Sequence, residues 1–150
     1  MANPFPFTAG QVLTAAQMNG IGEAWTSYTP TIKGGATTVT ATLTYAKYAR
    51  VNKVVFVRVN ATVTSAGAAS GAISCTLPIA STSFGDGSVV GVFQVKKSGV
   101  AYYSGNATLS AASTVNGQAY NSVDYMGSSA PTITLANTDV ISFSICYEVA

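Results

Sequence analysis

From Thr37 onward, apolar side chains recur at every second position, in runs broken by glycine, proline, asparagine and serine. A period of two belongs to strands with one buried face. Thr38 to Thr44 alternates threonine with Val39, Ala41 and Leu43, and Tyr45 to Arg50 continues the run towards a turn at Val51-Asn52-Lys53. Asparagine tolerates the positive φ that such a turn needs. Val54 to Thr64 is the clearest strand. It sets Val55, Val57, Val59, Ala61 and Val63 on one face against Val54, Phe56, Arg58, Asn60 and Thr62 on the other. Gly67 to Gly71 reads as a small-residue loop, Ile73 to Leu77 as a strand stopped by Pro78, and Ser81 to Ser88 as a loop. Val89 to Val95 is apolar on both faces, with Val89, Phe93 and Val95 on one and Val90 and Val92 on the other. Such a strand is central in a sandwich or covered by a second subunit. Lys96-Lys97-Ser98-Gly99 predicts a hairpin turn into a strand over Tyr102 to Leu109. After a Ser/Ala/Asn/Gly stretch, further strands are predicted over Ala119 to Met126 and Thr132 to Leu135. Following the turn Ala136-Asn137-Thr138-Asp139, Val140 to Val149 points Ile141, Phe143, Ile145, Tyr147 and Val149 inward.

Roughly eight or nine short strands with regular turn signals describe an all-β protein, an antiparallel sandwich or barrel, with a β-sandwich of two sheets in jelly-roll form preferred. The sandwich domain is expected over residues 31–150. Residues 1–30 differ in pattern. Asn3-Pro4-Phe5-Pro6-Phe7 must be extended, because each proline disfavours α conformation in the residue before it. Thr14 as N-cap with Gln17 three residues on makes a capping box, and Leu13 with Met18 makes a hydrophobic staple. Met18, Ile21 and Trp25 then follow at helical spacing, so a short helix is expected after the arm. A helix of about ten residues is marginal alone and must dock, on its own domain or on a partner.

Composition narrows the function classes. The 150 residues include only 8% charged side chains, against about 25% in an average soluble protein, and the formal net charge is +2. That is too little for nucleic-acid binding by phosphate neutralisation. The absence of histidine removes the commonest general base and metal ligand, and with them every Ser-His or Cys-His nucleophile. No apolar run reaches the ~18 residues of a membrane helix, and no signal peptide is expected. No cofactor and no metal are expected. Gly85-Asp86-Gly87 is read as a turn, since one carboxylate is poor provision for calcium. Asp86, Asp124, Asp139, Glu23 and Glu148 are scattered, so any acid/base pair would have to be assembled by the fold. Cys75 and Cys146 fall on strand faces of opposite character and are read as free thiols. The triplets Asn60-Ala61-Thr62 and Asn106-Ala107-Thr108 match a glycosylation pattern and are read as chance.

Two features can carry recognition. Trp25, Tyr28, Tyr45, Tyr48, Tyr102, Tyr103, Tyr120 and Tyr125 form an aromatic supply able to stack on sugar rings, with Tyr102, Tyr103, Tyr120 and Tyr125 the four tyrosines taken for glycan contact, although core or interface use is the plainer reading of tyrosine. Lys47, Arg50, Lys53 and Arg58 place four of the seven cations within a dozen residues, enough to steer the protein to an acidic partner or simply to solvate a hairpin tip.

Phe7-Thr8-Ala9-Gly10-Gln11-Val12-Leu13-Thr14-Ala15-Ala16-Gln17-Met18-Asn19 resembles a segment near the N-terminus of many tailed-bacteriophage virion proteins. Trp25-Thr26-Ser27-Tyr28-Thr29-Pro30-Thr31, Tyr48-Ala49-Arg50-Val51-Asn52-Lys53 and Thr76-Leu77-Pro78 are similar to the body of small phage tail and surface proteins. The resemblance implies a front segment joined to the virion and an outward β domain, commonly trimeric. The chain lacks the long shaft of large tail fibres, which favours a short knob or a capsid decoration. The expectation is therefore a virion structural protein assembled in the host cytoplasm. It would be a homotrimer at the tail acting as short fibre or receptor-binding knob, with capsid decoration or head fibre as the alternative. A virion glycan-degrading enzyme is the third reading; it would need an exposed carboxylate pair about 5–9.5 Å apart. Virion attachment is assigned to Phe5, Phe7, Leu13, Met18, Ile21 and Trp25. The subunit interface is assigned to Phe56, Val90 and Val92, and contact with a host surface glycan to the four tyrosines. Nucleic acid and membrane insertion are not expected.

Overall fold

The computed structural model describes Val12 and residues 24–67, 69–82, 85, 87–120, 124–128 and 131–150. Ten strands run through them: β1 (Thr26–Ser27), β2 (Ile32–Gly34), β3 (Thr37–Thr38), β4 (Thr40–Val51), β5 (Val54–Ser65), β6 (Ile73–Thr76), β7 (Val89–Lys97), β8 (Ala101–Ala111), β9 (Thr114–Ala119) and β10 (Val140–Glu148). They form one antiparallel order, β1-β4-β5-β10-β7-β8-β9-β6-β2-β3. The protein is thus all-β, and among the described residues there is no helix. The expected helix over 14–25 lies outside them, apart from Ala24 and Trp25, which are not helical and lead directly into β1.

The sheet curls because the chain joins its far ends. β3 runs into β4 across one residue, Val39, whose side chain is buried and whose N–H donates to the Ile32 carbonyl at 2.9 Å. One strand path therefore pairs with β2 at its start and with β5 thereafter. Inside the curl, the predicted inward residues of β5 and β10 are all buried and pack with Phe93, Val95, Leu109 and Val115 as a single cluster. Each Val, Ile, Leu or Phe so buried contributes about 1.5–3 kcal/mol. Asn52 makes the predicted β4–β5 turn with φ 56°.

Three expectations need correction. Val89 does not share the face of Phe93 and Val95; it is 60% exposed, because two residues of β7 oppose one of β8 at Val89/Gly91 and the bulge reverses the alternation. Among the described residues, 120 and 124–126 belong to no strand. β9 lies earlier, in the stretch read as a spacer, and Tyr125 makes only an isolated bridge to Gln118. Its Asn116-Gly117-Gln118 sequence hides a strand because the buried contact is made by a missing side chain: the Phe93 ring occupies the space a Cβ on Gly117 would need. Residues 132–135 join no strand, although Ile133 and Leu135 are buried as alternation requires.

Candidate functional site

The outward face of β4, β5, β10, β7 and β8 carries the site, and strand register builds it row by row. Tyr45 pairs with Asn60, Asn60 with Ser142, Ser142 with Gln94, and Gln94 with Ser104. Gly105 pairs with Ala119, which brings Tyr120 beside the end of this row. The result is a line of short polar side chains closed by a tyrosine at each end. At the usual strand spacing it extends about 24 Å along the sheet. The adjacent row is Lys47, Arg58, Ser144, Val92 and Asn106. Short residues surrounded by tall ones leave a groove of about 660 Å³, floored by Ser142, Ser144, Asn60, Gln94 and Ser104 and walled by Tyr45, Arg58, Val92 and Tyr120.

Tyr45 reaches this face only through a second bulge. Leu43 pairs with Ala61 and Tyr45 with Asn60, so Thr44 is an extra residue and the alternation changes phase. The Trp25 ring stands edge-on to Tyr45 at 6.3 Å between centroids, and the Lys47 ammonium lies 5.4 Å from the Tyr45 ring centre. On the floor, the Asn60 amide donates to Ser142 Oγ at 3.0 Å and the Gln94 amide donates to Ser104 Oγ at 3.1 Å.

Of the tyrosines proposed from sequence for glycan contact, the structure brings only Tyr120 to the groove wall. Tyr102 is 64% exposed on the next row, with the Lys96 ammonium 5.9 Å from its ring centre. Tyr103 points the other way and packs half-buried against the core, and Tyr125 is half-buried beside Gln118. Of the residues assigned to a subunit interface, Phe56 and Val92 lie on the outer face and Val90 does not, because the β7 bulge changes the alternation there. Phe56 is 42% exposed and pairs with Cys146, Val92 is 54% exposed in the groove wall, and Val90 is half-buried against the core. Of the residues assigned to virion attachment, Phe5, Phe7, Leu13, Met18 and Ile21 lie outside the described residues, and Trp25 packs on Tyr45. Tyr45 belonged to the aromatic supply able to stack on sugar, whereas Asn60, Gln94 and the floor serines escaped the sequence reading as site residues. Their only local signal is polarity on alternate positions, which every solvent-facing strand shows.

Among the described residues, no Asp or Glu lines the groove. Asp139 is buried and bonded within a turn, and no group of His, Cys, Asp and Glu that could hold a metal occurs among the described residues. Both cysteines are free, Cys75 buried and Cys146 exposed. Inside the curl, Cys75 lies with Tyr28 and Tyr147. Burial pushes the Cys75 thiol up to about 12 and Tyr147 also up to about 12, with the Tyr147 hydroxyl donating to the Ile79 carbonyl at 2.8 Å. Burial raises Tyr28 above the ordinary phenol range as well, and its hydroxyl is left without a hydrogen-bond partner. These groups are neutral in the fold, whereas a free thiol and phenol ionise near 9.0 and 10.0. Their contribution to stability is therefore complete below about pH 9 and lost as pH rises towards 12. Urea unfolding across that range should show a midpoint that is flat up to pH 9 and then falls. Cys75→Ala should remove part of the fall, and a midpoint unchanged to pH 11 would contradict the buried neutral cluster.

The fold and groove define an all-β domain with a polar, tyrosine-walled outer face. No family model, curated protein or solved structure matches the chain.

Proposed function

We propose that this chain is a structural protein of a tailed-bacteriophage virion, a homotrimeric β domain carried at the tail as a short fibre or receptor-binding knob. The observation that carries the reading is the outer groove. It offers hydrogen-bonding side chains and tyrosine rings on a sheet, and no carboxylate among the described residues that line it, which suits binding rather than turnover. The resemblance of residues 7–19 to virion segments supplies the location, and residues 1–30 are read as the attachment. The curled sheet is read as a jelly-roll-like sandwich, because β3 and β4 carry the chain from one end of the strand order to the other. At the far end of the outer face from the polar row, Phe56 and Cys146, with Val92 at their border, are the apolar patch taken for a second copy of the chain.

Antibodies against the purified protein, applied with gold label to phage particles from the host lysate, test the location. Label at the tail tip is expected. Label confined to the head makes the chain a decoration protein, and unlabelled particles overturn the virion reading. Light scattering tests the assembly: the wild type should have three times the monomer mass and Val92→Asp should be monomeric, whereas a monomeric wild type overturns the trimer.

A further inference from the structure

We propose that the outer groove is a subsite for an anionic saccharide, with the sugar's acid group held at Arg58 and Lys47 and its hydroxyls on the polar row. The inference rests on the reading of the chain as a receptor-binding domain and gives that receptor a chemical class.

Charge is the first argument. Lys47 and Arg58 sit directly opposite one another on β4 and β5. Like charges in that position repel and destabilise a sheet. Among the described residues neither is paired with a carboxylate; the Lys97–Asp139 ion pair lies at the other end of β7. An anion bound between them relieves the repulsion, and the planar guanidinium suits a carboxylate or a phosphate bidentately.

Hydrogen bonding is the second argument. Each floor amide uses one N–H on a serine, and its carbonyl oxygen and other N–H are left for a ligand in the groove that both residues line. Asn60, Ser142, Gln94 and Ser104 therefore offer donors and acceptors on successive strands, about 4.8 Å apart. A chain of sugar hydroxyls, each both donor and acceptor, matches such an array. A hydrocarbon surface or a helix with its backbone satisfied does not. The tyrosines supply the third argument, because an apolar ring with a polar edge suits the C–H face of a sugar bordered by its hydroxyls. Nucleic acid fits poorly, since one cation pair in a chain of net charge +2 neutralises few phosphates.

The test uses the full chain on an immobilised array of bacterial glycans that contains carboxylated, phosphorylated and neutral members. Retention by acidic glycans is expected, weakening as salt is raised. Arg58→Gln and Tyr120→Ala should each lower affinity about tenfold or more. Lys53→Gln, at the exposed hairpin tip, should leave it unchanged. The altered side chains are solvent-facing, so unchanged melting curves will show that the variants fold. Retention by carboxylated members alone, or by phosphorylated members alone, names the acid. Retention of neutral glycans only, of none, or undiminished binding by both variants overturns the proposal. Tail labelling without glycan binding removes this inference and leaves the virion reading; acidic-glycan binding without particle labelling does the reverse.

Discussion

Asp139→Ala is expected to destabilise the fold by about 3–5 kcal/mol, a large share of the 5–15 kcal/mol typical of a whole domain. Asp139 is 1% exposed, and both of its carboxylate oxygens are in use. Oδ1 accepts the Ser98 N–H at 2.9 Å, while Oδ2 accepts the Ala136 N–H at 2.8 Å and the Lys97 ammonium at 2.9 Å. The same ammonium donates to the Thr134 carbonyl at 2.6 Å. One side chain thus ties the β7–β8 hairpin to the turn that leads into β10. The backbone on either side of it is also committed, since the Thr138 N–H donates to the Val63 carbonyl and the Val63 N–H to the Asp139 carbonyl. Alanine leaves two part-buried N–H groups unpaired and strands a mostly buried ammonium without its counter-charge. Asp139→Asn keeps acceptor capacity but loses the charge, and should cost about 1–3 kcal/mol. Guanidinium unfolding at neutral pH measures both. A loss below about 1 kcal/mol for the alanine variant would contradict the anchoring role.

Gly117→Ala is expected to cost about 3 kcal/mol, the upper part of the usual range for overpacking. A Cβ there would lie 2.2 Å from two carbons of the Phe93 ring. The ring is 1% exposed and cannot retreat, because Phe143 packs on it at 4.5 Å between centroids. Removing the obstacle instead of the space should rescue the variant. Phe93→Leu in the Gly117→Ala background is expected to recover part of the loss, and a double-mutant cycle should give a coupling of about 1 kcal/mol or more between the two positions. Additive effects would mean that the close contact carries no strain.

Where one residue's alternation is enough, the structure follows the sequence. The inward sets of β5 and β10, the Asn52 turn and the separation of Cys75 from Cys146 all come from a period of two along a single uninterrupted strand. The reading fails where something outside the strand intervenes. A bulge at Thr44 turns Tyr45 outward and another at Val89/Gly91 exposes Val89, and both are defined by the partner strand. β9 escaped because Gly117 meets a phenylalanine rather than contributing an apolar side chain of its own.

The sequence by itself determined that the protein is all-β and antiparallel, which faces of its longest strands are buried, and which chemistries its composition withholds. These are local or summed properties of the chain. Only the tertiary structure decided which outward residues stand together. The groove's floor joins Asn60 to Ser142 across 82 positions, and its ends are tyrosines from β4 and from beyond β9. Strand order and register create those neighbours. They are set by how the whole sheet curls around one core, a non-local outcome that no window of alternating residues contains.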